Sequence, residues 1–163
     1  MTWVVRNCQK SVLLNLHYVR KDFHLLNQIT GLQSFDATLS FVTKKKLAQH
    51  QKDNKEFTHK GEMVTLPDAL VNINKKNADL STVEKNLGWI LVCPKTLLTR
   101  HEVRERDARE VLVPIMVRGL LELCGFKDKN DTQRSIFIQK EIEILHEVFT
   151  RTGVVYRPYS ILI

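Results

Sequence analysis

Apolar residues recur at Val5, Cys8, Val12, Leu16, Val19, Phe23 and Leu26, in steps of three and four. That spacing puts them on one stripe of a helix, and no Gly or Pro interrupts before Gly31. The pattern predicts a helix from about residue 3 to 30. A second apolar set, Leu14, Tyr18 and Leu25, falls on nearly the opposite side, so the helix is expected to be sandwiched by its own domain or by a partner.

Period two follows. Phe35, Ala37, Leu39 and Phe41 alternate with Ser34, Asp36, Thr38 and Ser40, which predicts a half-buried strand. Residues 44–61 carry Lys44, Lys45, Lys46, Lys52, Lys55 and Lys60 and read as an exposed loop with room for a short helix around Leu47. Short strands are expected at 62–66 and 70–74, with a turn at Pro67-Asp68. The apolar run Gly88–Cys93, closed by Pro94, fits a buried strand or the end of a helix that starts after Ser81, with Glu84 completing a capping box.

Two further helices are expected. One runs from about 100 to 124, opened by Thr99 with Glu102 three residues on, kinked by Pro114 and capped by Gly125. Its first turns are charged and its later turns apolar nearly all round. The other runs from about 132 to 152, with Asn130 or Asp131 as N-cap, Gly153 as stop, and Ile138, Ile142, Leu145 and Phe149 as its buried line. The final residues, 154–163, read as a strand that Pro158 confines to an edge or breaks. The fold class expected is α+β: three main helices packed with a small sheet of short strands, in one compact domain spanning 1–163.

Composition changes the picture in two ways. The hydrophobic fraction of 43% over 163 residues supports an ordinary core without disulfides or metal. The formal charge is +7, and residues 1–99 hold 14 Lys/Arg against 8 Asp/Glu, so the excess sits in the front of the chain. Such a balance favours phosphate backbones, anionic lipid surfaces or acidic proteins. The three widely spaced cysteines, Cys8, Cys93 and Cys124, read as buried thiols of a reducing compartment, hence an intracellular protein of cytoplasm or nucleus. Neither a secretory signal nor a transmembrane segment is visible.

Candidate chemistry is sparse. The histidines, at 17, 24, 50, 59, 101 and 146, and the three cysteines form no close ligand pair, so neither metal nor cofactor is expected. The six glycines make no phosphate loop, and no nucleophile motif occurs. The block Glu102–Glu110 alternates in sign and reads as a self-paired helix surface, through Glu102–Arg106 and Glu105–Arg109. On the first helix, Arg6, Lys10, His17, Lys21 and His24 share one strip, a rail suited to phosphates, and the lysines from 44 to 60 extend it.

The reading is a non-enzymatic basic protein that binds nucleic acid, RNA before DNA, or another polyanion, largely without regard to sequence. Its contact residues would be Arg6, Lys10, Lys21, Lys44, Lys45, Lys46, Lys52 and Lys55. The alternative is an oligomeric interaction or assembly protein that uses Leu14, Tyr18, Leu25, Ile161 and Ile163. An anionic membrane surface is a further possible partner.

Overall fold

The computed structural model describes residues 3–53, 58, 59, 61–67 and 86–162. It is an α+β fold built on one mixed five-stranded sheet in the order β1-β2-β5-β4-β3. The strands are β1 (Trp3–Asn7), β2 (Asp36–Phe41), β3 (Thr58–His59), β4 (Met63–Pro67) and β5 (Asn86–Val92). β1, β2 and β5 are parallel, and β4 runs antiparallel to both β5 and β3. The helices are α1 (Leu16–Thr30), α2 (Lys44–Asp53), α3 (Pro94–Arg100), α4 (Arg109–Leu123), α5 (Asp131–Thr152) and α6 (Tyr159–Leu162), with a 3-10 turn at Glu105–Asp107.

The first fifteen residues correct the sequence reading. The helix begins at Leu16, and Trp3–Asn7 is an edge strand. The turn between them is held by Gln9, whose amide donates to the Val12 carbonyl at 3.0 Å and accepts from the Val12 N–H at 2.9 Å. Trp3 donates from Nε1 to the Phe35 carbonyl at 2.9 Å, and its ring lies 4.7 Å from that of Phe23. Val5 and Val12 therefore reach the core from a strand and a turn, so their helical spacing with Leu16 was coincidental. Asn15 caps α1, accepting from the Tyr18 N–H, and Gly31 ends it at φ 70°. Arg6 and Lys10 lie outside any helix, and the strip they were to share with His17, Lys21 and His24 does not exist.

The core lies between one sheet face and α1, α4 and α5. Ala37, Leu39 and Phe41, the alternating set of β2, are buried there with Met63, Leu87, Ile90 and Val92. α4 is buried at every position from Val111 to Leu123. It is continuous through Pro114, which leaves unpaired only the carbonyl of Glu110, an exposed residue in its first turn. Gly119 lets α4 sit close to β5, because a Cβ there would stand 2.9 Å from Ile90 Cγ2. On the other sheet face, Leu47 of α2 packs with Val42, Val64, Leu91 and Cys93. The lysine-rich stretch from 44 is thus helical to Asp53 and packed, where a loop was expected.

The 88–93 run is strand β5, and Pro94 opens α3 as an N1 proline instead of closing the strand. Thr99 lies inside α3, and Glu102 sits in the left-handed region at φ 54°, so no helix starts there. The predicted helix over 100–124 is reduced to α4, and the Glu102–Arg106 and Glu105–Arg109 pairs are replaced by Arg106–Asp107 and Arg109–Asp22. α5 matches its predicted span and both caps, Asn130 and Gly153. Its buried line is Phe137, Glu141, Leu145 and Val148, which leaves Ile142 and Phe149 partly exposed. The expected C-terminal strand is absent among the described residues: 154–158 is irregular and Tyr159–Leu162 is the short α6. The predicted strand at 70–74, the Ser81/Glu84 box and Lys55 lie outside the described residues. No helix is long and apolar enough to cross a membrane among the described residues.

Candidate active site

Four positions line up across the sheet where its parallel strands end. The Cys8 N–H donates to the Phe41 carbonyl at 2.8 Å, Val42 to Val92 at 2.9 Å, and Cys93 to Glu62 at 2.9 Å. Since β4 runs the other way, its first residues share this edge with the last residues of β1, β2 and β5. Loops at the carboxyl ends of parallel strands are where open α/β sheets place their ligands.

One charge cluster at this edge is centred on Glu62, whose side chain is 0% exposed. Arg100 Nε lies 3.2 Å from its Oε1, and His101 Nε2 lies 3.1 Å from Oε1 and 3.3 Å from Oε2. The Tyr159 hydroxyl donates to Oε2. Oε1 receives charge from both neighbours without a well-directed hydrogen bond. Burial, with the Glu62 carboxylate beside it, pushes the Tyr159 phenol well above its usual range, so it stays a donor. His101 and Arg100 also line an open groove of about 810 Å³, with Arg106, Tyr156 and Arg157 among its walls.

A second cluster lies deeper. Arg118 and Glu122, one helical turn apart on α4, converge with Asp128, Glu141 of α5 and Ser160 of α6. The Arg118 side chain is 1% exposed, with Nη2 2.6 Å from Asp128 Oδ2, Nη1 2.7 Å from Ser160 Oγ and 3.7 Å from Glu141 Oε1, and Nε 3.4 Å from Glu122 Oε1. Its guanidinium lies 4.5 Å from the Phe137 ring centre. Ser160 Oγ donates its own proton to Glu141 Oε1 at 2.5 Å, and Thr65 donates to Glu122 Oε2 at 2.8 Å. Burial raises the Glu141 carboxyl above its usual range, against the lowering effect of Ser160 and Arg118. Three carboxylates thus meet a positive charge that belongs to the chain itself. Among the described residues no group of three or more His, Cys, Asp or Glu is placed to hold a metal ion.

The sequence-predicted cations divide. Arg6, Lys10 and Lys44–Lys46 gather near the ends of β1 and β2 on the same edge, with Arg6 5.2 Å over the Trp89 ring. The three lysines fill the first turn of α2, which carries no acidic residue there. Lys52 lies near the far end of α2, and Lys21, on α1, belongs to a different surface beside His24 and Arg151. Of the predicted partner-binding residues, Leu14 lies before α1 and is buried, and Leu25 of α1 is partly buried against the core. Tyr18 lies under the Arg109 guanidinium at 4.8 Å, Ile161 is exposed, and Ile163 is outside the described residues. Cys8 is exposed, contrary to expectation; Cys93 is buried and Cys124 intermediate.

Sequence reasoning missed both clusters. Glu62 and His101 are 39 residues apart, and nothing local joins them. Arg118 and Glu122 did carry a signal: a cation and an anion at i,i+4 inside an otherwise apolar helix.

An acid–base cluster and a basic edge thus share the ends of the same strands in an α+β fold. Comparison with known proteins is more specific. Residues 6–149 match the family described as endoribonuclease YbeY. The chain belongs to that family. It is 24% identical to the human endoribonuclease YbeY over 163 residues, 98% of this chain and 96% of the human protein. It is 37% identical over 68 residues to the endoribonuclease YbeY of Protochlamydia amoebophila (strain UWE25), 42% of this chain and 44% of that one. This overturns the expectation of a binder without catalysis: the family and these relatives are RNA-cleaving enzymes. RNA as partner stands. The comparisons lend nothing to self-association or membrane binding.

Proposed function

We propose that this chain is an endoribonuclease that takes RNA along the carboxyl edge of its parallel strands. The family match over residues 6–149 carries the reading. The placement of residues supports it. Arg6, Lys10 and Lys44–Lys46 offer phosphate contacts at the β1–β2 end, and strand spacings of roughly 4.8 Å put Glu62 only three strands away. Lys52 extends the contact along α2. The cell interior, where RNA is found, is the proposed site of action, in keeping with three free thiols.

The test is direct. The purified chain is incubated with end-labelled single-stranded and hairpin RNAs and with DNA of the same sequence. Internal fragments from RNA are expected. If neither RNA is cut under conditions where the chain is folded, the reading is wrong. Replacing Lys44, Lys45 and Lys46 with Ala should weaken RNA binding evenly across sequences. It should also lower the salt slope by about 1 for each phosphate that is no longer neutralised.

A further inference from the structure

We propose that the uncovered part of the second sheet face is a stacking platform for an unpaired RNA base, with Trp89 as its floor and Arg6 as its clamp. The proposal rests on the endoribonuclease reading above and adds how the RNA is gripped. One face of the sheet carries the core. On the other, α2 covers the end nearest the lysines, where Leu47 packs with Val42, Val64, Leu91 and Cys93. One row further along the strands that cover ends. The register sets Val4, Thr38, Trp89 and Leu66 side by side, one from each of four adjacent strands. All four are partly exposed, whereas Val64 and Leu91, in the row under α2, are buried. The sheet thus presents a tryptophan in an apolar row that its own elements leave partly open.

The groups around the ring fit a nucleotide. The Arg6 guanidinium lies over the Trp89 ring, 5.2 Å from its centre, and has no acidic partner among the described residues. The Trp89 indole N–H has no acceptor among them either. Aromatic rings and guanidinium planes are the surfaces on which unpaired bases stack, and sheet faces that carry them hold single-stranded RNA. Lys10 and Lys44–Lys46, likewise without acidic partners among the described residues, stand at the strand ends. Trp89 is three residues before Val92, so at about 3.3 Å per residue it lies roughly 10 Å from that edge. Asp36 begins β2, at the end away from the lysines. A strand of RNA keeps its phosphates on the lysines and lays one base on the ring, and Arg6, on its flexible stem, lifts to admit the base and then covers it. Bases within a duplex expose no free face, so the platform selects unpaired RNA.

The experiment titrates the full chain with a short single-stranded RNA, a duplex of the same sequence, and an oligomer of the same length in which every nucleotide is abasic, and follows tryptophan emission. The other tryptophan, Trp3, packs on Phe23 and donates to the Phe35 carbonyl, so quenching reports on Trp89. Expected are strong quenching by the single strand, little by the duplex and none by the abasic oligomer, which should also bind roughly 5–150-fold more weakly than the RNA. Trp89→Leu should lose RNA affinity within the same range and leave the affinity for the abasic oligomer unchanged. Circular dichroism and a thermal melt show whether the variant is folded; the abasic oligomer tests the platform without any variant. Equal binding of the RNA and the abasic oligomer, or a folded W89L that binds RNA as the parent does, would overturn the platform. The same RNA run on a gel scores the endoribonuclease reading separately. Cutting without quenching overturns the platform alone, and quenching without cutting overturns that reading alone.

Discussion

The two charge clusters are built from the same parts and do opposite things. Each has a fully buried glutamate, Glu62 or Glu141, an arginine beside it, and a hydroxyl from α6, Tyr159 or Ser160. Around Arg118 the guanidinium, Glu122, Glu141 and Ser160 are buried, and Asp128, 42% exposed, is the member that reaches solvent. Around Glu62 two members, Arg100 and His101, also line an open groove. Burial makes charges rigid and hard to disturb; an outlet to solvent is what turns such a set into chemistry. α6 is the shared wall, so a disturbance of either cluster reaches the other through residues 159 and 160.

The largest effect is expected from emptying the closed cluster of its cation. Arg118→Met keeps most of the volume but strands Glu122 and Glu141 without a counter-charge. Breaking a buried pair from one side costs about 3–5 kcal/mol, read as a fall in the urea midpoint. If the variant is as stable as the parent, the buried charges are not held as the structure shows.

Next comes the open cluster. Tyr159→Phe removes one donor from a fully buried carboxylate and leaves the ring in place. A loss of about 1–3 kcal/mol is expected for the unsatisfied acceptor. Chemical denaturation measures it. The comparison is sharpened if this variant also loosens His101, seen as line broadening of its ring resonances, while Ser160→Ala does not.

How much of this was legible in the sequence follows from the range of the contacts. α5 could be read because its signals are local: Asn130 caps by bonding to the N–H of Gln133 three residues on, and Gly153 stops the helix. β2 could be read because alternation is the pleat itself. The N-terminus was misread because Val5 on a strand, Cys8 and Val12 in the segment that Gln9 staples, and Leu16 in α1 follow one another in helical steps by coincidence. The end of the chain was misread because Pro158 precedes α6, where its missing N–H costs nothing, and the Pro158 carbonyl accepts from Ile161. Glu62 with His101 was out of reach of any local pattern. Arg118 with Glu122 was not: two charges on one face of an apolar helix require partners, and that demand could have been stated in advance.

Protons offer a gentler probe of the closed cluster. The Glu141 carboxyl titrates above its unfolded range, chiefly because it is buried. Between the ordinary glutamate value and that raised one, the folded chain holds more protons than the unfolded chain. Stability therefore rises as pH falls through this window, and Glu141 weighs against the fold at higher pH. Glu141→Gln should flatten that part of the stability curve. An unchanged slope would mean that Arg118 and Ser160 outweigh burial.

The smallest effect completes the contrast by holding spacing constant. Glu147 and Arg151 form an i,i+4 pair on α5 at 3.0 Å, as Arg118 and Glu122 do on α4 at 3.4 Å. The side chains of the first pair are 43% and 42% exposed, those of the second 1% and 8%. Water screens the first, so Glu147→Gln should cost no more than about 0.3–0.5 kcal/mol, and less in high salt. The melting temperature measured at two salt concentrations decides it. A loss near that of Arg118→Met would show that sequence spacing, not burial, sets the strength of these pairs. The distinction between the sealed cluster and the open one would then lose its physical basis.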